Sequence, residues 1–255
     1  MKSNDYNIAQ LKSMIQTIPE SELDAFFENE TRAGAIKIKT QQHKIYEKGK
    51  QLIKQYDEML LYENKYPGKV IAGIDEVGRG PLAGPVVACA VILNEHHAFY
   101  GLNDSKQMSK LNRAKVEVEL LENVTYAIGI ATVEEIDAIN IYEATKKAML
   151  RAIEGLPVTP DVLLIDAMKL QTGLIEESII KGDSTSISIA AASVIAKEYR
   201  DRLMVELAET YPGYDFENNA GYGTKKHLEG LVTYGITPIH RKTFEPIKSI
   251  VTRNF

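Results

Sequence analysis

The chain reads as an α/β protein: a mixed β-sheet flanked by helices, with a helical extension before it and a helical tail behind it. Three observations predict that class. Apolar runs of strand length alternate with helix-period stretches from Val70 onward. The first two runs, Val70 to Ile74 and Val86 to Leu93, are joined by a loop rich in glycine and proline and so pair as neighbours, whereas later runs are separated by helices. Residues 1 to 69 carry only helical periodicity, and the texture changes at Pro67-Gly68. The expected division is therefore a helical accessory segment over 1–69 and a sheet-containing domain over 70–255.

The elements follow in order. Ile8, Leu11, Met14 and Ile15 recur at helical spacing, and TIPESELDAFFENE supplies a proline and an acidic first turn suited to a helix start. A long polar helix is expected from about Ala33 to Tyr62, with Ile45, Leu52, Tyr56 and Leu60 as a sparse apolar stripe. Beyond the paired strands and GLNDSKQMSK, a helix runs to about Asn123, and TYAIGIAT reads as a strand. Thr132 and Glu135 then form a capping box that opens a helix through YEATKKAMLRAIEGL. DVLLID is a strand ending on Asp166, and EESIIKGD is a strand ending near Asp183. SISIAAASVIAKEYRDRLMVELAETY is a long helix with a small-residue face, and the tail from Glu217 to Phe244 is loop, short helix, loop.

Composition narrows the function classes. A chain of 255 residues with 44% hydrophobic and 25% charged residues builds a sizeable core and is neither disordered nor fibrous. No stretch approaches about 18 continuous apolar residues, and MKSNDYNIAQLKSMIQ lacks the basic flank and apolar centre of a secretory signal, so no membrane partner and a cytoplasmic location are expected. A single cysteine, Cys89, excludes a disulfide framework within the chain or a cysteine zinc cage. The net charge of -5 argues weakly against indiscriminate polyanion binding, but Arg32 to Lys54 holds seven Lys or Arg against Glu47 alone, and Gly221 to Phe255 holds six against Glu229 and Glu245. On composition alone such runs are solvated helix faces. A monomer is the default expectation.

The chemistry concentrates in IAGIDEVGRGPLAGPVVACAVIL, where Asp75 and Glu76 interrupt an apolar β pattern. The glycines of GRGPLAG miss the dinucleotide-binding spacing by one residue, and they lead into a strand rather than a helix N-terminus, which excludes that cofactor class. A plain hairpin turn explains the glycines and leaves Asp75, Glu76 and Arg79 without a reason. Carboxylates beside an apolar core are costly unless paired or metal-bound. Asp166 and Asp183 end apolar β runs in the same way, so four acids converge at one sheet edge and call for a hard divalent ion, Mg²⁺ or Mn²⁺ rather than zinc. A lone strand-end aspartate is ordinarily a cap or turn residue, and that reading holds for Asp183 taken by itself.

In sequence, GIDEVGRGPLAGPVV, DSK, LLIDAM, IIKGD, SIAAASVIAK and GYGTKKHL together resemble the bacterial ribonuclease HII family over roughly residues 70 to 250. The sister type, ribonuclease HIII, lacks the Gly-Arg-Gly signature. The resemblance implies an RNase H-like mixed sheet and an endonuclease that cuts RNA–DNA hybrids and single ribonucleotides in duplex DNA, using two divalent ions, Mn²⁺ or Mg²⁺, held by Asp75, Glu76, Asp166 and Asp183. It further implies that Gly78, Arg79 and Gly80 sense the ribose 2′-hydroxyl, that Tyr222 stacks on the following deoxyribose, and that Lys106, Lys197 and Arg200 hold backbone phosphates. The chain departs from the family's frequent DSKKL, AKVTRD and KGYGT with DSKQM, AKEYRD and AGYGT, which bears on phosphate contacts and leaves the acids intact. His227 and His240 read as surface histidines among basic residues and carry no assigned role. Neighbouring residues on a regular strand face opposite sides. Asp75 and Glu76 are therefore expected to share a site only if the strand ends or bulges there, or if Glu76 acts through its main chain. A non-catalytic nucleic-acid-binding module and a structure-selective DNA nuclease are the competing readings.

Overall fold

A computed structural model of the chain describes residues 2–94 and 96–253. They divide into two compact units, Met1–Asp57 and Glu58–Phe255.

The first unit contains helices α1 (Ile8–Met14), α2 (Glu20–Phe26) and α3 (Ala33–Met59). Asn7 and Gln10 close the start of α1 with a reciprocal capping box. Leu11, Ile15, Ile18, Leu23, Phe26, Phe27, Ala35 and Ile38 form its core. The basic run on α3 is partly spent inside the unit: Arg32 donates to Glu30 and to the carbonyls of Ser3 and Tyr6, Lys39 pairs with Asp24, and Lys50 pairs with Glu20 and Glu47. Lys37, Lys44 and Lys48 are exposed.

The second unit is built on a five-stranded sheet of order β3-β2-β1-β4-β5, with β1 Ile71–Val77, β2 Val86–Leu93, β3 Val124–Ala131, β4 Val162–Asp166 and β5 Ile175–Ile179. β1 with β2, joined by the Gly/Pro-rich loop, and β2 with β3, joined through α4, are antiparallel. β1 with β4 and β4 with β5 are parallel. Helices α4 (Lys110–Asn123), α5 (Val133–Glu154) and α6 (Ile187–Thr210) flank the sheet. On one face Ala72 and Ile74 of β1 pack with Ala144, Ala148, Met149 and Ala152 of α5. On the other, α6 lies against β1 so closely that a Cβ on Gly73 would sit 2.2 Å from the main chain of Ser188. The Thr132–Glu135 capping box forms as expected, but α5 breaks at Asn140, whose φ of 69° is non-helical and whose side chain caps the second half at Tyr142 and Glu143. A short 3-10 turn at Glu63–Lys65 belongs to this unit: the Glu63 carboxylate accepts from Ser186 Oγ, Ser188 N and Ser188 Oγ at the start of α6.

Two local expectations are corrected. β1 neither ends nor bulges at the acidic pair, because Asp75, Glu76 and Val77 stay in regular register with Cys89, Ala88 and Val87 of β2. The apolar run after β4 stops at Ile179, and Asp183 instead sits in a 3-10 turn, Gly182–Ser184, reached through Lys181 in the left-handed region at φ 57°. The C-terminal region adds α7 (Phe216–Asn219), α8 (Lys225–Tyr234) and α9 (Ile247–Arg253), with Met204, Tyr214, Phe216, Leu231 and Ile247 in a core shared with Leu82 and Ala83 of the β1–β2 loop. Among the described residues no helix is long and apolar enough to cross a membrane.

Candidate active site

The parallel ladder between β1 and β4 ends at Ile74 and Ile165, while β1 runs on beside β2. The next residues in register, Asp75 and Asp166, therefore stand side by side at the end of that ladder, with Glu76 one residue further along β1. Asp75 lies on the α6 face and is 4% exposed, with the Ser193 hydroxyl of α6 easing its charge. The Ser193 hydroxyl in turn meets Ser105 Oγ at 2.9 Å. Glu76 lies on the α5 face, half-buried, with Arg79 Nη1 3.6 Å from its carboxylate. Asp166 accepts from Gly182 N at 2.7 Å, which ties the end of β4 to the turn that carries Asp183. Lys106 Nζ lies 3.7 Å from the Asp183 carboxylate.

The charges of these groups act on one another. Burial, then the charges of Glu76 and Asp166, raise the Asp75 carboxyl well above its ordinary range. Burial raises Glu76 and Asp166 as well. Asp183 is raised by burial and then by the charges of Asp104 and Asp166. Burial works against the charge of Lys106, but Asp75, Asp183, Asp104 and Asp166 outweigh it and raise the ammonium. Carboxylates this costly to ionise together favour a cation among them, and an all-oxygen donor set fits Mg²⁺ or Mn²⁺. Among the described residues their side chains are not drawn into a ready-made ligand group of three or more. Asp104, whose charge raises Asp183, is a fifth acid that sequence reasoning missed. Its position inside DSK, beside Lys106, was the available signal.

The loop after β1 is carried on two buried arginines. Gly78 has φ 92°, and a Cβ there would meet the Arg200 guanidinium at 2.2 Å, so only glycine fits. Arg200 is 1% exposed and donates to the carbonyls of Pro85, Ala220 and Ala83. The expectation that it holds a phosphate is thereby corrected: its fork is already spent on main chain, out of reach of solvent. Burial brings its pKa down to about 10, still charged at neutral pH. Arg241, fully buried, donates to the carbonyls of Gly78, Arg79 and Gly84. Tyr222 is exposed and lies against Gly80, whose added Cβ would be 3.4 Å from the ring. It also lines a groove of about 530 Å³ with Lys110, Lys197 and Arg202. Lys197 is half-buried and bonded to Asp201 at 2.5 Å. His227 and His240, expected at the surface, are both fully buried, with their Nε2 atoms 3.0 Å apart.

Comparison with known proteins accords with this arrangement. A family model described as Ribonuclease HII matches residues 72–247, and one described as Ribonuclease HII N-terminal domain matches residues 7–67. The ribonuclease HII of Macrococcus caseolyticus is 64% identical over 251 residues, covering 98% of this chain and 95% of that one. That of Staphylococcus carnosus is 56% identical over 253 residues, covering 96% of this chain and 97% of its own. The crystal structure of ribonuclease H2 from Pyrococcus horikoshii OT3 superposes with a TM-score of 0.62 at 27% identity, over 72% of this chain and 97% of that one. A mixed sheet with flanking helices of this kind defines the class as an RNase H-fold nuclease. Within that class, the chain belongs to the ribonuclease HII family, metal-dependent endoribonucleases.

Proposed function

We propose that the protein hydrolyses the phosphodiester on the 5′ side of a ribonucleotide, in RNA–DNA hybrids and at single ribonucleotides in duplex DNA, leaving 3′-hydroxyl and 5′-phosphate ends. The observation that carries this reading is the grouping of Asp75, Glu76, Asp166 and Asp183 at one sheet edge, immediately followed in the chain by Gly78-Arg79-Gly80. The four acids would hold two divalent ions, Mn²⁺ or Mg²⁺, which when bound supply an activated water and stabilise the departing 3′ oxygen. Gly182 N fixes the Asp166 carboxylate, so that donor is oriented in advance, and the Ser193 hydroxyl eases the charge of Asp75. Glu76 reaches the cluster from the opposite face of β1, by its side chain or its main chain.

Selectivity for RNA needs contact with one hydroxyl. Gly78 and Gly80 let main chain approach the sugar, Arg79 is exposed enough to clamp a neighbouring phosphate, and Tyr222 stands beside Gly80 to receive the next deoxyribose. Lys106 and Lys197 remain candidates for phosphate contact. On α3 of the first unit, exposed Lys37, Lys44 and Lys48 would extend the grip on duplex phosphates.

The test uses purified protein with Mg²⁺ or Mn²⁺ on a duplex holding one ribonucleotide, beside an all-DNA duplex. The wild type is expected to cut only the first, on the 5′ side of the ribonucleotide, and Asp75→Asn to cut neither. Equal cutting by Asp75→Asn would overturn the reading, and cutting of the all-DNA duplex would favour a structure-selective DNA nuclease.

A further inference from the structure

We infer that Arg241 is the positioning residue of the Gly78–Arg79–Gly80 loop, holding its carbonyls inward so that the N–H groups of Arg79 and Gly80 face out as donors toward the ribonucleotide. The inference rests on the function proposed for that loop and adds a residue from the far end of the chain.

The geometry is a matter of peptide planes. In a trans peptide the C=O and the following N–H point in opposite directions. Arg241 Nη2 donates to Gly78 O at 2.5 Å and Nη1 to Arg79 O at 2.9 Å. Both carbonyls are thus aimed at a fully buried guanidinium, and the N–H groups of Arg79 and Gly80, which share those planes, are aimed away from it. Neither N–H has a hydrogen-bond partner among the described residues. Arg241 Nε and Nη2 also reach Gly84 O, at 3.0 and 2.8 Å, so the fork spans both ends of the loop.

A cation is suited to this work for two reasons. Carbonyl dipoles converging on one positive charge are held more firmly than by neutral donors. The same charge also polarises the two peptide units and makes their outward N–H groups stronger donors. A lysine would supply a point charge in place of a planar fork and could not meet carbonyls from both ends of the turn. Arg241 is itself fixed on every side. Its own N–H donates to Leu82 O, Gly84 N donates to Ile239 O, and Asp137 accepts from Lys242 N, Thr243 N and Thr243 Oγ1. No carboxylate is hydrogen-bonded to its guanidinium among the described residues, so the charge is committed to the loop.

The test compares the wild type, Arg241→Lys and a stability control, Met149→Ala, which truncates a buried residue on the α5 face of the core. Each is assayed on a duplex with one ribonucleotide and on a duplex with four consecutive ribonucleotides, with the folded fraction measured alongside. Arg241→Lys is expected to lower the single-turnover rate per folded molecule on the order of 10²-fold, the cost of a misplaced contact. Duplex affinity should change by no more than about threefold, since phosphates elsewhere supply it. Cuts in the four-ribonucleotide duplex should spread over several positions. Met149→Ala should lower the unfolding midpoint and leave rate per folded molecule and cut position as in the wild type. Wild-type rate and cut position in Arg241→Lys, or the same rate loss in Met149→Ala, would overturn the assignment. A wild type that fails to cut the single-ribonucleotide duplex would instead remove the loop's function, and the assignment with it.

Discussion

His227 and His240 can each hold a proton on either ring nitrogen, but their partners permit one arrangement. His240 Nδ1 faces the Thr237 N–H at 2.9 Å and must accept, which puts its proton on Nε2. That Nε2–H donates to His227 Nε2, 3.0 Å away, and His227 therefore carries its proton on Nδ1, donating to the Tyr222 carbonyl at 2.9 Å. A third proton would set two N–H groups against each other. Burial, and then the neighbouring His227, bring His240 down to about 4, and burial lowers His227 as well. Tyr214 and Phe216 pack against both rings and bring no countercharge. Between pH 6.5 and about 4 the unfolded chain binds a proton at His240 that the folded chain refuses, so stability falls as pH falls through that window. At roughly 1.4 kcal/mol per pH unit the loss is about 3 kcal/mol. His240→Gln should be less stable than the wild type at pH 7.5, yet its urea midpoint should decline less between pH 6.5 and 4. Parallel decline in the two proteins would show that the pair does not govern this window.

Helix α6 is the element that joins sheet to site, because Gly73 lets it lie on β1 and Ser193, further along it, eases the charge of Asp75. Gly73→Ala places a methyl group 2.2 Å from Ser188 main chain, which cannot swing aside as a side chain would, so the helix must move. Overpacking of this kind should cost about 1–3 kcal/mol. The rate per folded molecule should fall as well, because Ser193 moves with the helix. An unchanged urea midpoint would show that the interface yields without strain. Such tertiary seams mark where sequence stopped being legible. The strands, the flanking helices and the Thr132–Glu135 box are local patterns, and each can be read from a few adjacent residues. The expected bulge at Asp75 failed because alternation was considered along β1 alone. What brings Asp75 beside Asp166 is the end of the β1–β4 ladder, a property of the neighbour. In sequence Arg200 reads as a phosphate contact and Arg241 as one charge in a basic run, since nothing nearby discloses the carbonyls that surround them.

At the scale of the whole molecule, a net charge of -5 has to be reconciled with a polyanionic substrate, and distribution decides the matter more than the sum does. Arg32, just before α3, and Lys39 and Lys50 on it are paired with Glu30, Asp24 and Glu20 within the first unit. Lys37, Lys44 and Lys48 are exposed and carry no ion pair among the described residues. Spacings of seven and four residues place these three within about 20° of one line along the helix. A row of uncompensated charges is what backbone phosphates meet best, and each phosphate neutralised contributes about 0.9 to the slope of log affinity against log salt. Replacing all three with glutamine in the full chain should weaken duplex binding at low salt and flatten that slope by about 2 to 3. Lys39→Gln, which removes a lysine already paired with Asp24, should flatten it by much less. The position of the cut should stay the same in every variant, because the residues proposed to choose it lie in the second unit. An unchanged slope in the triple variant would show that the row does not touch phosphate, and a shifted cut would show that the first unit takes part in choosing the ribonucleotide.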